Sequence, residues 1–191
     1  EMAEQAAALA AVSGEESFGV RVMSLYRAGL AHAAARRFGR AASVLEEAAR
    51  LARGRDQRIG ILHFLGLVLR DAGEHERAAA VFCECRRQAE AYLRTPEKFT
   101  RLTARPFGRG SALRARKQSL LLEADAMAVL ERFAEARDLC ERYRALWPLE
   151  ADGHIAAARV AFRTDGSDAA VGLLEEAARS LTGCLLYTSD A

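Results

Sequence analysis

An all-α fold of stacked antiparallel helix pairs is what this sequence predicts, on three observations. Alanine fills 41 of the 191 positions and proline only three, a composition that favours helix. Apolar residues recur at spacings of three, four and seven, the period of one helix face rather than of a strand. One spacing pattern occurs four times along the chain, the mark of a repeat architecture. The length suits one domain or a short repeat array. With 51% hydrophobic and 28% charged residues, the chain is neither disordered nor membrane-embedded by composition.

Each copy starts from a small residue, with Ala twelve positions on, a bulky or sulfur-bearing residue four further, and another residue three beyond. The copies are Gly29, Ala41, Leu45, Ala48; Gly66, Ala78, Phe82, Cys85; Ala124, Ala136, Cys140, Tyr143; and Ala158, Ala170, Leu174, Ala177. Four residues before each anchor stand Leu25, Leu62, Leu120 and His154, and three after it His32, Leu69, Met127 and Ala161. Every copy is thus two amphipathic helices that bury their apolar stripes against each other. The breaks between them contain Phe38-Gly39, Ala72-Gly73-Glu74, Glu131-Arg132-Phe133 and Asp165-Gly166-Ser167-Asp168. Three of these carry the Gly expected where a helix ends in a left-handed turn. Asp56 and Asp152 are read as N-terminal caps of the first helices of repeats two and four.

This constellation resembles the tetratricopeptide repeat family, most closely in Leu62, Leu65, Gly66, Leu69, Ala78 and Phe82, with Pro148 where the family ends a repeat. Ala124 and Ala158 are 34 residues apart, the family's unit length. The resemblance covers residues 22–183 and implies a right-handed α-solenoid. Residues 1–21 read as a remnant helix of a preceding repeat. Residues 184–191 break with the Ala/Arg/Glu texture and read as an adapter-derived, non-native tail, an ordinary C-terminal tail being the other reading.

Gly66 and Ala124 are 58 apart, so 24 residues are inserted between repeats two and three. Helix is expected from Glu76 to about Arg94 and again from near Ser111, with Pro96 and Pro106 marking loop. The insertion at 94–117 carries Arg94, Lys98, Arg101, Arg105, Arg109, Arg114, Arg116 and Lys117 against Glu97 alone, a net +7 in a chain whose remainder is −5. With Phe99 and Phe107 interleaved, it suits nucleic acid or an acidic partner, against the alternative of a solvated Arg-rich loop.

Nothing in the sequence carries a phosphate-binding loop, a paired-His metal motif or a Ser elbow, so the expectation is a protein that is not an enzyme and holds no cofactor or metal. Cys83 and Cys85 lie about 200° apart around a helix and cannot share a metal; with Cys140 and Cys184 they read as free thiols, consistent with a cytoplasmic setting. The longest apolar stretch, Ile59 to Leu69, is too short to cross a bilayer, so no membrane contact is expected.

The resemblance implies a protein or peptide partner on the concave face, built from first helices. The positions beside the packing residues there are Tyr26, Arg27 and Leu30; His63, Phe64, Leu67 and Arg70; Gln118, Leu121, Leu122 and Asp125; and Ile155, Arg159, Phe162 and Arg163. Tyr26, Arg27, His63, Phe64, Arg70, Arg159, Phe162 and Arg163 are the candidate partner-binding residues, aromatics and arginines being common interface anchors. The lysines and asparagines with which one subgroup clamps a chaperone C-terminus are absent, their places holding Tyr26, Leu30, Phe64, Gln118 and Leu122. Four arginines among apolar residues suggest a segment with acidic and hydrophobic side chains. The expected function is a non-enzymatic helical-repeat scaffold; the alternatives are nucleic-acid or acidic-partner binding through 94–117, and a regulatory repeat region of a larger multidomain protein.

Overall fold

The computed structural model describes residues 19–95 and 109–187, with side chains to residue 179. Among the described residues eight helices follow one another: α1 (19–34), α2 (Phe38–Leu51), α3 (Arg55–Asp71), α4 (His75–Arg94), α5 (Arg109–Val129), α6 (Phe133–Leu146), α7 (Ala151–Thr164) and α8 (Ser167–Tyr187). Among the described residues there is no strand. Connections of two to four residues join all consecutive helices except α4 and α5, and force each neighbour to run antiparallel. From α2 on, each helix packs on the next, and α3 also packs on α5, and α5 on α7. The molecule is therefore an all-α solenoid of stacked helix pairs, with first helices on one side and second helices on the other.

The repeat anchors are the core. Ala41, Leu45, Ala48, Ala78, Phe82, Cys85, Ala136, Cys140 and Tyr143 are all at most 1% exposed. Small anchors allow close approach: a Cβ on Gly29 would stand 2.6 Å from Cγ of Leu45, and one on Gly66 2.5 Å from the Phe82 ring. The fourth copy departs from the rule at Leu174, which is 44% exposed. His154, at an apolar position, is buried and satisfied by the Pro148 carbonyl, 3.3 Å from its Nε2.

The turns depart from the sequence expectation in one place, the first. Gly39 lies inside α2, and the left-handed residue of the first turn is Arg36, at φ 57°. The third turn uses Glu131, at φ 61°, where Gly73 and Gly166 serve in the second and fourth. The first three turns nonetheless close identically, with the N–H groups of Arg37, Glu74 and Arg132 donating to the carbonyls of His32, Leu69 and Met127 at 2.9 Å. Asp56 and Asp152 are not caps: the N-cap residues are Gly54 and Glu150, and neither aspartate makes a capping bond. Both lie two residues past the cap, in the first turn, where a carboxylate meets the positive end of the helix dipole.

The insertion lengthens α4 and α5 to 20 and 21 residues, against 14 for α2, α6 and α7. α5 starts at Arg109, two residues before the expected Ser111. Arg109 donates to the carbonyls of Leu93 (2.7 Å) and Thr95 (3.0 Å), tying the start of α5 to the end of α4. Between the extended helices Arg86 donates to both carboxylate oxygens of Glu123, at 2.9 and 3.3 Å, with both side chains nearly excluded from solvent. Lys98, Arg101 and Arg105, with Phe99 and Phe107, lie outside the described residues, as do residues 1–18.

Candidate functional site

Because α3, α5 and α7 pack side by side, their outward faces form the floor of a groove. Its larger cleft, about 400 Å³, is lined by His63 and Leu67 of α3, Gln118, Leu121, Leu122 and Asp125 of α5, and Asp152, Ile155, Ala156 and Arg159 of α7. A smaller cleft of about 180 Å³ lies between α1, α3 and α5, with Tyr26, Phe64, Asp56 and Arg114 in its walls beside Ala112 and Ala115. His63 and Gln118 line both. The alanines of α5 let α3 approach, and the longer Leu67, Leu121, Leu122 and Ile155 give the larger cleft an apolar wall.

Four of the residues singled out in the sequence, Tyr26, His63, Phe64 and Arg159, line these clefts. Tyr26 meets Phe64 edge-on, ring centroids 6.1 Å apart. Burial raises the Tyr26 phenol's pKa, which keeps it neutral. His63 Nδ1 is 3.4 Å from the hydroxyl of the fully buried Ser119. Desolvation, and secondly the Arg70 charge, hold its imidazole below the ordinary histidine range, so it too is neutral at pH 7.

Arg27, Arg70, Phe162 and Arg163 line neither cleft. Arg27 is exposed. Arg70 donates to the adjacent Asp71 at 2.8 and 3.0 Å. Arg163 donates to the Ala128 carbonyl at 2.5 Å and lies 5.3 Å over the Phe133 ring, bracing α7 against the α5–α6 turn. Arg159 faces Asp125 at 3.3 Å. Of the expected arginines Arg159 alone lines the larger cleft, where Asp125 and Asp152 stand beside it; Arg70 and Arg163 contact Asp71 and the Ala128 carbonyl outside it. Asp152 lines the cleft, although in the sequence it carried only a helix-start signal.

The basic segment is divided in the same way. Arg116 and Lys117 both lie 5.1 Å from the centre of the Trp147 ring. Lys117 also pairs with Glu150, and Arg116 is 3.5 Å from Glu90. Glu150 accepts from the Tyr143 hydroxyl at 2.6 Å, and its pKa is lowered by Lys117 and then Tyr143. Arg94 and Arg114 are exposed, Arg114 reaching Ser111 at 3.4 Å. Burial raises the thiol pKa of Cys85 and of Cys140 to about 11. Among the described residues no group of His, Cys, Asp or Glu could hold a metal ion, and no helix is long and apolar enough to cross a membrane.

No family model matches the chain, and neither does any curated protein sequence. Similar solved structures include MamA MSR-1 C2, at 18% identity over 84% of this chain and 97% of that one, with a TM-score of 0.32. Another is MamA RS-1 ArsTM double mutant, at 16% identity over 85% and 96%, with a TM-score of 0.33. What the helix order, the packing of neighbouring helices and their small-residue contacts establish is an all-α stack of antiparallel helix pairs.

Proposed function

We propose that this chain is a non-enzymatic helical-repeat scaffold that holds a segment of a partner protein in the groove of α1, α3, α5 and α7. The observation that carries the reading is the larger cleft: three successive first helices present Leu67, Leu121, Leu122 and Ile155 to one open surface, with Ile155 48% exposed. A groove of aliphatic side chains rimmed by a few charges suits an extended or helical peptide. Nucleic-acid binding through 94–117 is the weaker reading, because Arg109, Arg116 and Lys117 are engaged by carbonyls, carboxylates and the Trp147 ring.

Affinity capture from lysate, with and without nuclease and at two salt concentrations, separates these readings. The expected result is a protein partner that survives nuclease and is lost when Leu67→Ser and Ile155→Ser are combined in a chain of unchanged helical content. Retention of every captured protein by that variant contradicts the groove assignment. Recovery of nucleic acid that washes off steeply with salt moves the function to the basic segment.

A further inference from the structure

We propose that the segment held in the larger cleft is basic and amphipathic, laying aliphatic side chains on Leu67, Leu121, Leu122 and Ile155 and turning a lysine or arginine toward Asp152. This rests on the groove reading above and names its ligand class. The charges of the cleft decide the sign. Asp125 and Asp152 line it against Arg159 alone, and Arg159 is already matched by Asp125 at 3.3 Å. Asp152 is exposed and has no ion-pair partner among the described residues. His63 adds no positive charge at neutral pH, being held neutral by burial. Arg70 of α3 and Arg163 of α7 are bound to Asp71 and to the Ala128 carbonyl outside the cleft, Arg116 and Lys117 of α5 are turned to Glu90, Glu150 and the Trp147 ring, and Arg114 stands with Asp56 in the smaller cleft.

An acidic segment would thus bring its carboxylates against Asp152, which no side chain among the described residues pairs, while Arg159, the one lysine or arginine among the described lining residues, is already shared with Asp125. A basic segment meets Asp152 at the edge of an apolar wall, where covering the site excludes water and strengthens the pair. Repulsion of acidic segments supplies selectivity as well as attraction of basic ones.

Three short fluorescent peptides test this by anisotropy: an amphipathic Leu/Lys helix, its Leu/Glu counterpart, and a Gln/Lys control without leucine. The protein should bind the Leu/Lys peptide about tenfold or more tightly than the Leu/Glu peptide, and the Gln/Lys control weakly. Asp152→Lys should reverse the Leu/Lys over Leu/Glu order, and Ile155→Ser should weaken both leucine peptides. Melting curves check the fold, and Asp152→Asn, expected to reduce the preference, replaces the lysine variant if that variant unfolds. If the Leu/Glu peptide binds as well as Leu/Lys, or Asp152→Lys leaves the order unchanged, while Ile155→Ser still weakens binding, the basic-ligand proposal is overturned and the groove reading stands. Equal binding of the Gln/Lys control overturns the amphipathic half. If Ile155→Ser changes nothing, or no peptide binds, the groove reading fails and takes the proposal with it.

Discussion

Gly66 on α3 faces the ring of Phe82 on α4 so closely that a Cβ at residue 66 would stand 2.5 Å from Cε1. The contact joins the two helices of repeat two at the centre of the stack, and Phe82 is fully buried and has little room to withdraw. Gly66→Ala should therefore lose about 1–3 kcal/mol to overpacking, partly offset by roughly 1 kcal/mol of helix propensity. Gly172→Ala in α8 meets nothing within 4 Å among the described residues and should stabilise by about 0.5–1 kcal/mol. Urea unfolding of the two variants should move the midpoint in opposite directions. A stabilising Gly66→Ala would mean that the α3–α4 contact is looser than described.

The Arg86–Glu123 pair ties α4 to α5 behind the insertion, with Arg86 7% and Glu123 4% exposed. Glu123→Leu should cost about 3 kcal/mol, because it leaves the buried guanidinium with only Glu90, 3.7 Å away, as a carboxylate partner. Replacing both partners, Arg86→Met with Glu123→Leu, should recover most of that loss, since apolar packing substitutes for a desolvated pair. A double-mutant cycle measures the coupling. Additive single effects would show that the pair contributes no mutual stabilisation.

The contrast between those two contacts marks what the sequence made legible. Gly66, Phe82 and their counterparts repeat at fixed spacings because each packs within or between adjacent helices, so periodicity alone gives the helix pairs and the centre of the core, while buried residues off the repeat positions such as Ile61, Val68, Leu139 and Val160 emerge only from the packing of neighbouring pairs. Arg86 and Glu123 are 37 residues apart with no spacing that links them, and their pairing arises only from the way the insertion lengthens two helices. Gly153 carries no spacing signal for a related reason: its contact is with Tyr143 of the preceding repeat, whose ring leaves no room for a Cβ. The groove floor was readable as the positions left over beside the packing stripe, whereas its charge was not. Register places Arg70, Arg159 and Arg163 beside the stripe, but only side-chain pairing shows that Arg159 shares the cleft with Asp125 while Arg70 and Arg163 turn to Asp71 and the Ala128 carbonyl.

His63 should make stability depend on pH in a defined direction. Burial, and then Arg70, lower its pKa below 6.5, so the unfolded chain binds the proton more readily. Its contribution is fully present above pH 6.5 and is lost as pH falls from there toward the folded-state value. His63→Gln, which retains a hydrogen-bonding group near Ser119, should flatten this part of the profile. The check is the urea midpoint of both proteins from pH 8 to pH 5; parallel curves would remove His63 as the cause.

Thiol reactivity should follow burial. Cys85 and Cys140 are at most 1% exposed, with pKa values pushed up to about 11, while Cys83 is half-buried. In a Cys184→Ser background, iodoacetamide at pH 8 should label Cys83 first and reach the other two only on unfolding. Peptide mapping distinguishes the sites, and early labelling of Cys140 would contradict the packing of α6 against α5.

Leu174 and Phe82 occupy the same place in two copies of the repeat and should respond differently to truncation. At the equivalent positions Leu45, Phe82 and Cys140 are at most 1% exposed, each held between its own pair and the next first helix; Leu174 is 44% exposed because no described helix follows α8. Phe82→Ala should cost about 3–5 kcal/mol. Leu174→Ala should cost only about 1 kcal/mol, as half of the leucine already faces solvent. Equilibrium unfolding of both variants tests the comparison. A loss at Leu174 as large as that at Phe82 would mean that this face is covered in solution, and the missing cover would then be worth locating by cross-linking from residue 174.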